Sequence, residues 1–283
     1  MAQLIDGTAV ANQILTDVAA RAVAYAERTG RKPTLAAVLV GDDPASATYV
    51  KMKRNRSRKN GIDSRSVTLG ADTTTDELVD RLTALSADLE VDGILLQHPV
   101  PAQIDERAAF EAIAPGKDVD GVTMHSFAAM AFDEPGFHSC TPGGILRLLD
   151  AYEVPLQGRH AVVVGRSPIL GKPVGMLLLS RNATVTYCHS RTTDLAGHVR
   201  QADVVVAAVG VAELIKGDWI KPGAVVLDAG YNAGNVGDVE FAAAEQRASL
   251  ITPIPGGVGP MTIAVLLEQT VTAAESTVVT AAA

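Results

Sequence analysis

Cysteine is scarce. The chain of 283 residues holds two, Cys140 and Cys188. Two thiols cannot build a disulfide framework, and so low a count fits a reducing, cytoplasmic setting. Aromatic residues make up 4%, which argues against the stacking platform that reads single-stranded nucleic acid. Positive charge is outweighed, 24 Lys+Arg against 32 Asp+Glu for a net charge of −8. Non-specific attraction to a phosphate backbone is therefore not expected. No apolar run approaches the ~18 residues of a membrane span. The opening stretch has no basic residue before Arg21, unlike a secretory leader. His98 has no second histidine at metal-ligand spacing, so no metal is expected.

What is present is apolar: 47% of residues are hydrophobic and 20% charged, enough to bury a core. At ~150 residues per domain the length suggests about two domains. Val10, Ile14, Val18, Ala22 and Tyr25 recur at helical spacing, and Gly30 supplies a stop. Residues 35–40 form a short apolar run ending at Gly41, the mark of a buried parallel strand. A helix over 46–60, a strand over 67–69, a helix from Thr75 and a strand over 93–97 continue a β-α-β-α-β order. Pro115-Gly116-Lys117-Asp118-Val119-Asp120-Gly121 reads as a loop and a domain crossing. Residues 121–140 read as irregular, followed by a short helix over 141–151. Strands are expected over 161–164, 184–187, 204–209, 224–227 and 249–252. Three Gly and three Pro in residues 253–262 indicate a stiffened loop that permits close approach by backbone or ligand. A last helix is expected from Ile263.

The second half carries a strand, a glycine-bearing turn and a helix start in Val162-Val163-Val164-Gly165-Arg166-Ser167-Pro168-Ile169-Leu170-Gly171. Backbone N–H groups at such a turn bind phosphate, although the spacing is not G-x-G-x-x-G. In NAD binders a carboxylate about 20 residues on holds the ribose 2′-hydroxyl. Here the next strand ends Tyr187-Cys188-His189-Ser190-Arg191, without one. Ser190 and Arg191, with Arg166 as a second arginine, suit a 2′-phosphate, which favours NADP. Arg191 as a solvated loop arginine is the other reading.

In the first half Tyr49 and Lys53 stand four apart on one helix face. The pair imitates the Tyr-x-x-x-Lys of short-chain dehydrogenases, but there it follows the dinucleotide turn, whereas here it precedes it. Lys51, Arg54, Arg56, Arg58 and Lys59 surround Lys53 in sequence. Like charges disfavour a protonated lysine, and a near-neutral lysine can relay protons. Lys51, Arg54 and Arg58 are expected on the solvated side. Gln97 ends a strand, where α/β proteins place ligand groups. Asp118 and Asp120 are either turn formers or acceptors for the amidine edge of a flat heterocycle.

Together these blocks resemble the bifunctional methylenetetrahydrofolate dehydrogenase/methenyltetrahydrofolate cyclohydrolase family of FolD type. The carriers run over nearly the whole chain: Val40-Gly41-Asp42-Asp43-Pro44-Ala45-Ser46 with Tyr49 and Lys53, Gly93-Ile94-Leu95-Leu96-Gln97, Lys117-Asp118-Val119-Asp120-Gly121, Cys140-Thr141-Pro142, Gly165-Arg166-Ser167, Cys188-His189-Ser190, and Pro255-Gly256-Gly257-Val258-Gly259-Pro260-Met261-Thr262. The resemblance implies two three-layer α/β domains with a cleft between them, the C-terminal one Rossmann-like. Residues 1–121 and 263–283 would form the folate-binding catalytic domain and residues 122–262 the NADP-binding domain. It implies oxidation of 5,10-methylenetetrahydrofolate to the methenyl cation with NADP, then hydrolysis to 10-formyltetrahydrofolate, in a homodimer. Lys53 would handle protons, supported by Gln97, while Tyr49 would stack near the pterin. Asp120, Pro255, Gly256, Gly257 and Thr262 would bind substrate. Gly165, Arg166, Ser167, Ser190 and Arg191 would bind NADP. The family commonly reads Gln-Leu-Pro-Leu-Pro after the third strand, and this chain reads Gln97-His98-Pro99-Val100-Pro101. A dehydrogenase without the cyclohydrolase step, or a non-catalytic NADP-binding protein, are the rival readings. Intact Tyr49, Lys53 and Gln97 argue against the first, and the full set of site residues against the second.

Overall fold

A computed structural model describes the backbone of residues 1–282 and the side chains of residues 1–44, 46 and 48–277. The chain divides into two compact units. An early unit takes Gln13–Ala129, Pro135–His138 and the chain from Ile263 onward, and a late unit takes Met1–Asn12, Met130–Glu134 and Ser139–Thr262.

The early unit is built on a parallel sheet in the order β3-β2-β4, with β2 at Thr34–Val40, β3 at Asp63–Leu69 and β4 at Gly93–Leu96. Leu35 to Val40 are buried without interruption, as a central strand covered on both faces requires. Helix α1 (Gly7–Thr29) buries Ala11, Leu15, Val18, Ala22 and Tyr25. The stripe is one residue off the expected one at its start, and Val10 and Ile14 lie half-buried on its shoulder. Helix α2 (Pro44–Lys59) is capped by Asp43, whose carboxylate accepts from Ser46 N at 2.7 Å. Helix α3 (Thr75–Ala87) opens on a reciprocal capping box between Thr74 and Glu77 and buries Leu78, Leu82 and Leu85.

Three expectations fail here. β3 begins at Asp63, four residues before the expected strand, because the ladder with β2 continues through the pairs Thr34↔Asp63 and Ala36↔Arg65, whose β3 members are polar and break the apolar run. Residues 121–140 are not all irregular: after α4 (Glu106–Glu111), α5 spans Met124–Phe132. Thr123 caps it, accepting from Ser126 N at 3.2 Å through its hydroxyl. The last helix, α10, starts at Val258 rather than Ile263. Pro260 falls in its first turn, where a missing N–H costs nothing because that position has no intrahelical acceptor.

The late unit holds a six-stranded, wholly parallel sheet in the order β1-β9-β8-β7-β5-β6. Its strands are β1 (Gln3–Leu4), β5 (His160–Val164), β6 (Thr184–Cys188), β7 (Val204–Ala207), β8 (Val225–Asp228) and β9 (Leu250–Ile251). Helices α6 (Cys140–Ala151), α7 (Gly171–Ser180), α8 (Leu195–Gln201) and α9 (Phe241–Glu245) connect them. Val162, Val164, Val205, Val226 and Ile251 lie in one core cluster. β5 pairs β6 on one side and β7 on the other, so the order reverses between β5 and β7, the switch point where doubly wound sheets take their ligands. β1 falls within the segment 1–121, yet it pairs with β9, in register Gln3↔Leu250.

Candidate active site

In the early unit α2 places Tyr49 and Lys53 one turn apart on the same face, as their spacing requires. Lys53 is 5% exposed. Removing an ammonium from water is costly unless partners replace the water. Two are present: Lys53 Nζ donates to Gln97 Oε1 at 3.2 Å and lies 4.6 Å from the centroid of the Tyr49 ring. Gln97 continues β4, its N–H donating to Val38 O at 2.8 Å. Its Nε2 donates to His98 O at 2.8 Å. The amide is thereby oriented, with its oxygen toward the lysine. The His98 ring meets Phe110 edge-on, centroids 6.3 Å apart. Lys51 and Arg58 are exposed as expected, but Arg54 is half-buried.

Asp120 stands half-buried in a loop that Asp118 organises. The Asp118 carboxylate is fully buried and accepts from Val122 N at 3.0 Å, Thr123 N at 2.9 Å and Ser126 Oγ at 2.6 Å. Burial pushes this carboxyl up, and the three hydrogen bonds oppose that. The loop packs on β4 at Gly93, where an added Cβ would lie 2.7 Å from Val119 Cγ2. Gln269 of α10 holds it from the other side through Nε2–H to Val119 O at 2.8 Å. Of the two aspartates, Asp118 is thus the turn former, and Asp120 is left for another task.

In the late unit the turn after β5 has Gly165 at φ +135°, where an added Cβ would lie 2.9 Å from Ala208 C. Ser167 Oγ accepts from Leu170 N at 3.2 Å and Gly171 N at 3.3 Å, capping the start of α7. Arg166, Ser190 and Arg191 are all exposed at the ends of β5 and β6. No carboxylate stands with them at the end of β6. A glycine turn packed closely on the end of β7, a helix start, and exposed Arg166, Ser190 and Arg191 at the strand ends suit a dinucleotide that bears a 2′-phosphate.

The glycine- and proline-rich segment follows β9. Gly256 has φ +101°, and an added Cβ on Gly257 would lie 2.6 Å from Thr252 Cβ. Pro255 is exposed, and Thr262 pairs its hydroxyl with that of Thr141 at 2.8 Å. The first residues of α1 brace this segment: Thr8 N–H donates to Gly256 O at 3.1 Å, and an added Cβ on Gly7 would lie 2.7 Å from Gly257 C.

Two aspartates that sequence reasoning passed over shape the switch point. Asp238 accepts through Oδ2 from Val209 N at 2.7 Å and Gly210 N at 2.9 Å, and through Oδ1 from Val211 N at 2.9 Å. That fixes the loop after β7. Asp228, at the end of β8, accepts from Gly230 N, Asp238 N and Val239 N at 2.9–3.1 Å. Burial drives the Asp228 carboxyl up to about 6, and the nearby charge of Asp238 adds to this, against the pull of those three N–H donors. A carboxylate closing a run of apolar residues, as in Val225-Val226-Leu227-Asp228, was the available signal. Among the described residues no group of three or more His, Cys, Asp or Glu is placed to hold a metal, and no helix is long and apolar enough to cross a membrane.

Comparison with known proteins identifies the family. Residues 5–120 match the model of the tetrahydrofolate dehydrogenase/cyclohydrolase catalytic domain, and residues 139–278 that of the family's NAD(P)-binding domain. The chain is 71% identical over 273 residues to bifunctional protein FolD 1 of Streptomyces avermitilis, covering 96% of this chain and 95% of that protein. It is 57% identical to bifunctional protein FolD of Teredinibacter turnerae, covering 97% and 98%. Among solved structures, the Campylobacter jejuni FolD methylenetetrahydrofolate dehydrogenase/cyclohydrolase superposes with a TM-score of 0.95 at 40% identity, covering 98% of this chain and 100% of that one. The Trypanosoma brucei dehydrogenase-cyclohydrolase, solved with NADP and an inhibitor, gives 0.94 at 36%, covering 98% of each. With both domain models matched in order and relatives aligned end to end, the chain belongs to the tetrahydrofolate dehydrogenase/cyclohydrolase family.

Proposed function

We infer that the protein oxidises 5,10-methylenetetrahydrofolate to the 5,10-methenyl cation and hydrolyses that cation to 10-formyltetrahydrofolate, with Lys53 as the proton-handling group of the second step. NADP, when bound, supplies the nicotinamide carbon that accepts the hydride. Gly165 and Ser167 would hold its pyrophosphate side, and Ser190 and Arg191, with Arg166 as a second arginine, its 2′-phosphate. Residues 122–262 are assigned to that task, and residues 1–121 with 263–283 to folate.

The observation that carries the reading is the buried amine of Lys53, fixed between Gln97 Oε1 and the Tyr49 ring face. The methenyl carbon is already electrophilic, so hydrolysis needs a proton carrier rather than a Lewis acid. Lys53 Nζ takes a proton as water adds to that carbon. It returns a proton to N5 as the C–N5 bond breaks and the carbinol becomes the formyl group, so one proton is released overall. Gln97 keeps the amine aimed, and Tyr49 offers its ring to the pterin. Asp120 accepts from the pterin amidine edge. Pro255, Gly256, Gly257 and Thr262 are further residues assigned to substrate binding. Hydride transfer itself requires chiefly that the reacting carbons be held within ~3.5 Å. A homodimer in the cytoplasm completes the reading, supported by the two-cysteine composition and the family.

The test is Lys53→Met. Methenyltetrahydrofolate is followed by its absorbance, its formation reporting the dehydrogenase and its decay the cyclohydrolase. Loss of a positioned proton carrier costs about 10²–10⁴-fold, so decay should fall to the buffer rate while formation with NADP persists. Decay at the parental rate would remove Lys53 from the mechanism.

A further inference from the structure

We propose that His189 is a positioning residue for cofactor choice: its imidazole shapes the turn that presents Ser190 and Arg191 to the 2′-phosphate. The inference rests on the reading of those two residues given above.

Beyond β6 the chain reverses in one turn. Thr192 N–H donates to His189 O at 2.8 Å, which makes His189 the first and Thr192 the fourth residue of a β-turn, with Ser190 and Arg191 at its centre. Two side chains lock it. His189 N–H donates to Thr192 Oγ1 at 2.8 Å, and Arg191 N–H donates to His189 Nδ1 at 3.2 Å. A nitrogen that accepts an N–H is bare, so the ring proton resides on Nε2.

The second bond is the informative one. A side chain at the first position accepting from the N–H of the third is the bonding of an Asx-turn, normally the work of Asn or Asp. His189 performs it with a ring nitrogen and brings no negative charge. An aspartate here would set a carboxylate beside an incoming phosphate. Ser190 and Arg191, at the turn's centre, are exposed. Their hydroxyl and guanidinium fork can serve one phosphate only if the backbone between them is fixed. The imidazole ties down the amide that sets the direction of Arg191, without itself touching the cofactor.

The experiment compares NADP and NAD in the dehydrogenase reaction of the full chain at saturating methylenetetrahydrofolate. His189→Leu removes the acceptor. His189→Asn replaces it with the usual Asx-turn acceptor. Hydrogen bonds to a charged group are worth roughly a factor of ten or more in affinity. His189→Leu should therefore lower kcat/KM for NADP about tenfold, through KM, while leaving kcat/KM for NAD within about twofold. His189→Asn should restore most of the NADP preference, an outcome that generic damage to the fold would not give. Should the leucine variant fail to fold, His189→Gln takes its place, because its acceptor is one methylene too far to close the same ring. A leucine or glutamine variant with the parental NADP-to-NAD ratio, or an asparagine variant as impaired as the leucine one, overturns the role of His189. A parent with no preference for NADP overturns instead the reading of Ser190 and Arg191, and the proposal with it.

Discussion

At Gln97 the side-chain amide is committed at both ends: Oε1 receives a hydrogen from Lys53 Nζ, and Nε2 serves the carbonyl of His98. This explains how a departure from the family's Gln-Leu-Pro-Leu-Pro is accommodated. His98 contributes its backbone carbonyl to the arrangement, as any residue would, and turns its ring to Phe110. It also forecasts what Gln97→Glu does. A carboxylate cannot donate to His98 O, and as an anion it would hold the proton on Lys53. Cyclohydrolase turnover should drop by at least ~10-fold, with hydride transfer much less affected. The measurement is again decay against formation of the methenyl chromophore, and equal losses in both would count against the orienting role of the amide.

Among the elements, α3 shows how far local rules reach. Thr74-Thr75-Asp76-Glu77 and the run Leu78, Leu82, Leu85 state a cap and an apolar face in the sequence, and the structure contains both. Thr74→Ala should cost ~1 kcal/mol by removing that cap, read as a lower midpoint in urea at unchanged m-value. The same rules explain the strands with continuous apolar runs. They fail where the determining contact is remote in sequence. β1 has two residues and no pattern, and it exists because Gln3 and Leu4 have a sheet edge to join. Residues 124–132 hold only two polar residues, adjacent at His125 and Ser126, so no period announces α5, and its cap at Thr123 makes sense only once Asp118 has gathered the turn. The site shows the same division. Tyr49, Lys53 and Gln97 announce themselves by spacing and strand ends. Asp228 is marked only as the carboxylate that closes an apolar strand, and Asp238 acts on backbone amides of the loop after β7 with nothing local to mark it.

The molecule as a whole inherits a pH dependence from its buried carboxyls. Asp228 titrates near 6 when folded and near 3.8 when unfolded, so the unfolded chain releases its proton first as pH rises. Folding stability from this group is full below about 4 and declines through about 6, by roughly 3 kcal/mol at most. Asp118 is shifted in the same direction by its burial. Asp228→Asn should have a constant penalty from its lost acceptor but none of this decline. Unfolding free energies of parent and variant, taken from pH 4 to 7, should therefore differ by an amount that changes with pH, and a flat difference would contradict the assignment. The pairing of β1 with β9 has a further consequence, one of timing. Synthesis runs from Gln3 and Leu4 toward their partners Leu250 and Ile251. The outermost strand of the cofactor-side sheet is thus made before the sheet's other strands and docks only after β9, closing the loop from Gln3 to Leu250. Such closure grows costlier only with the logarithm of loop length. The nascent chain can hold this strand free while the rest of the sheet is made, and the sheet's edge is sealed once Leu250 and Ile251 are available.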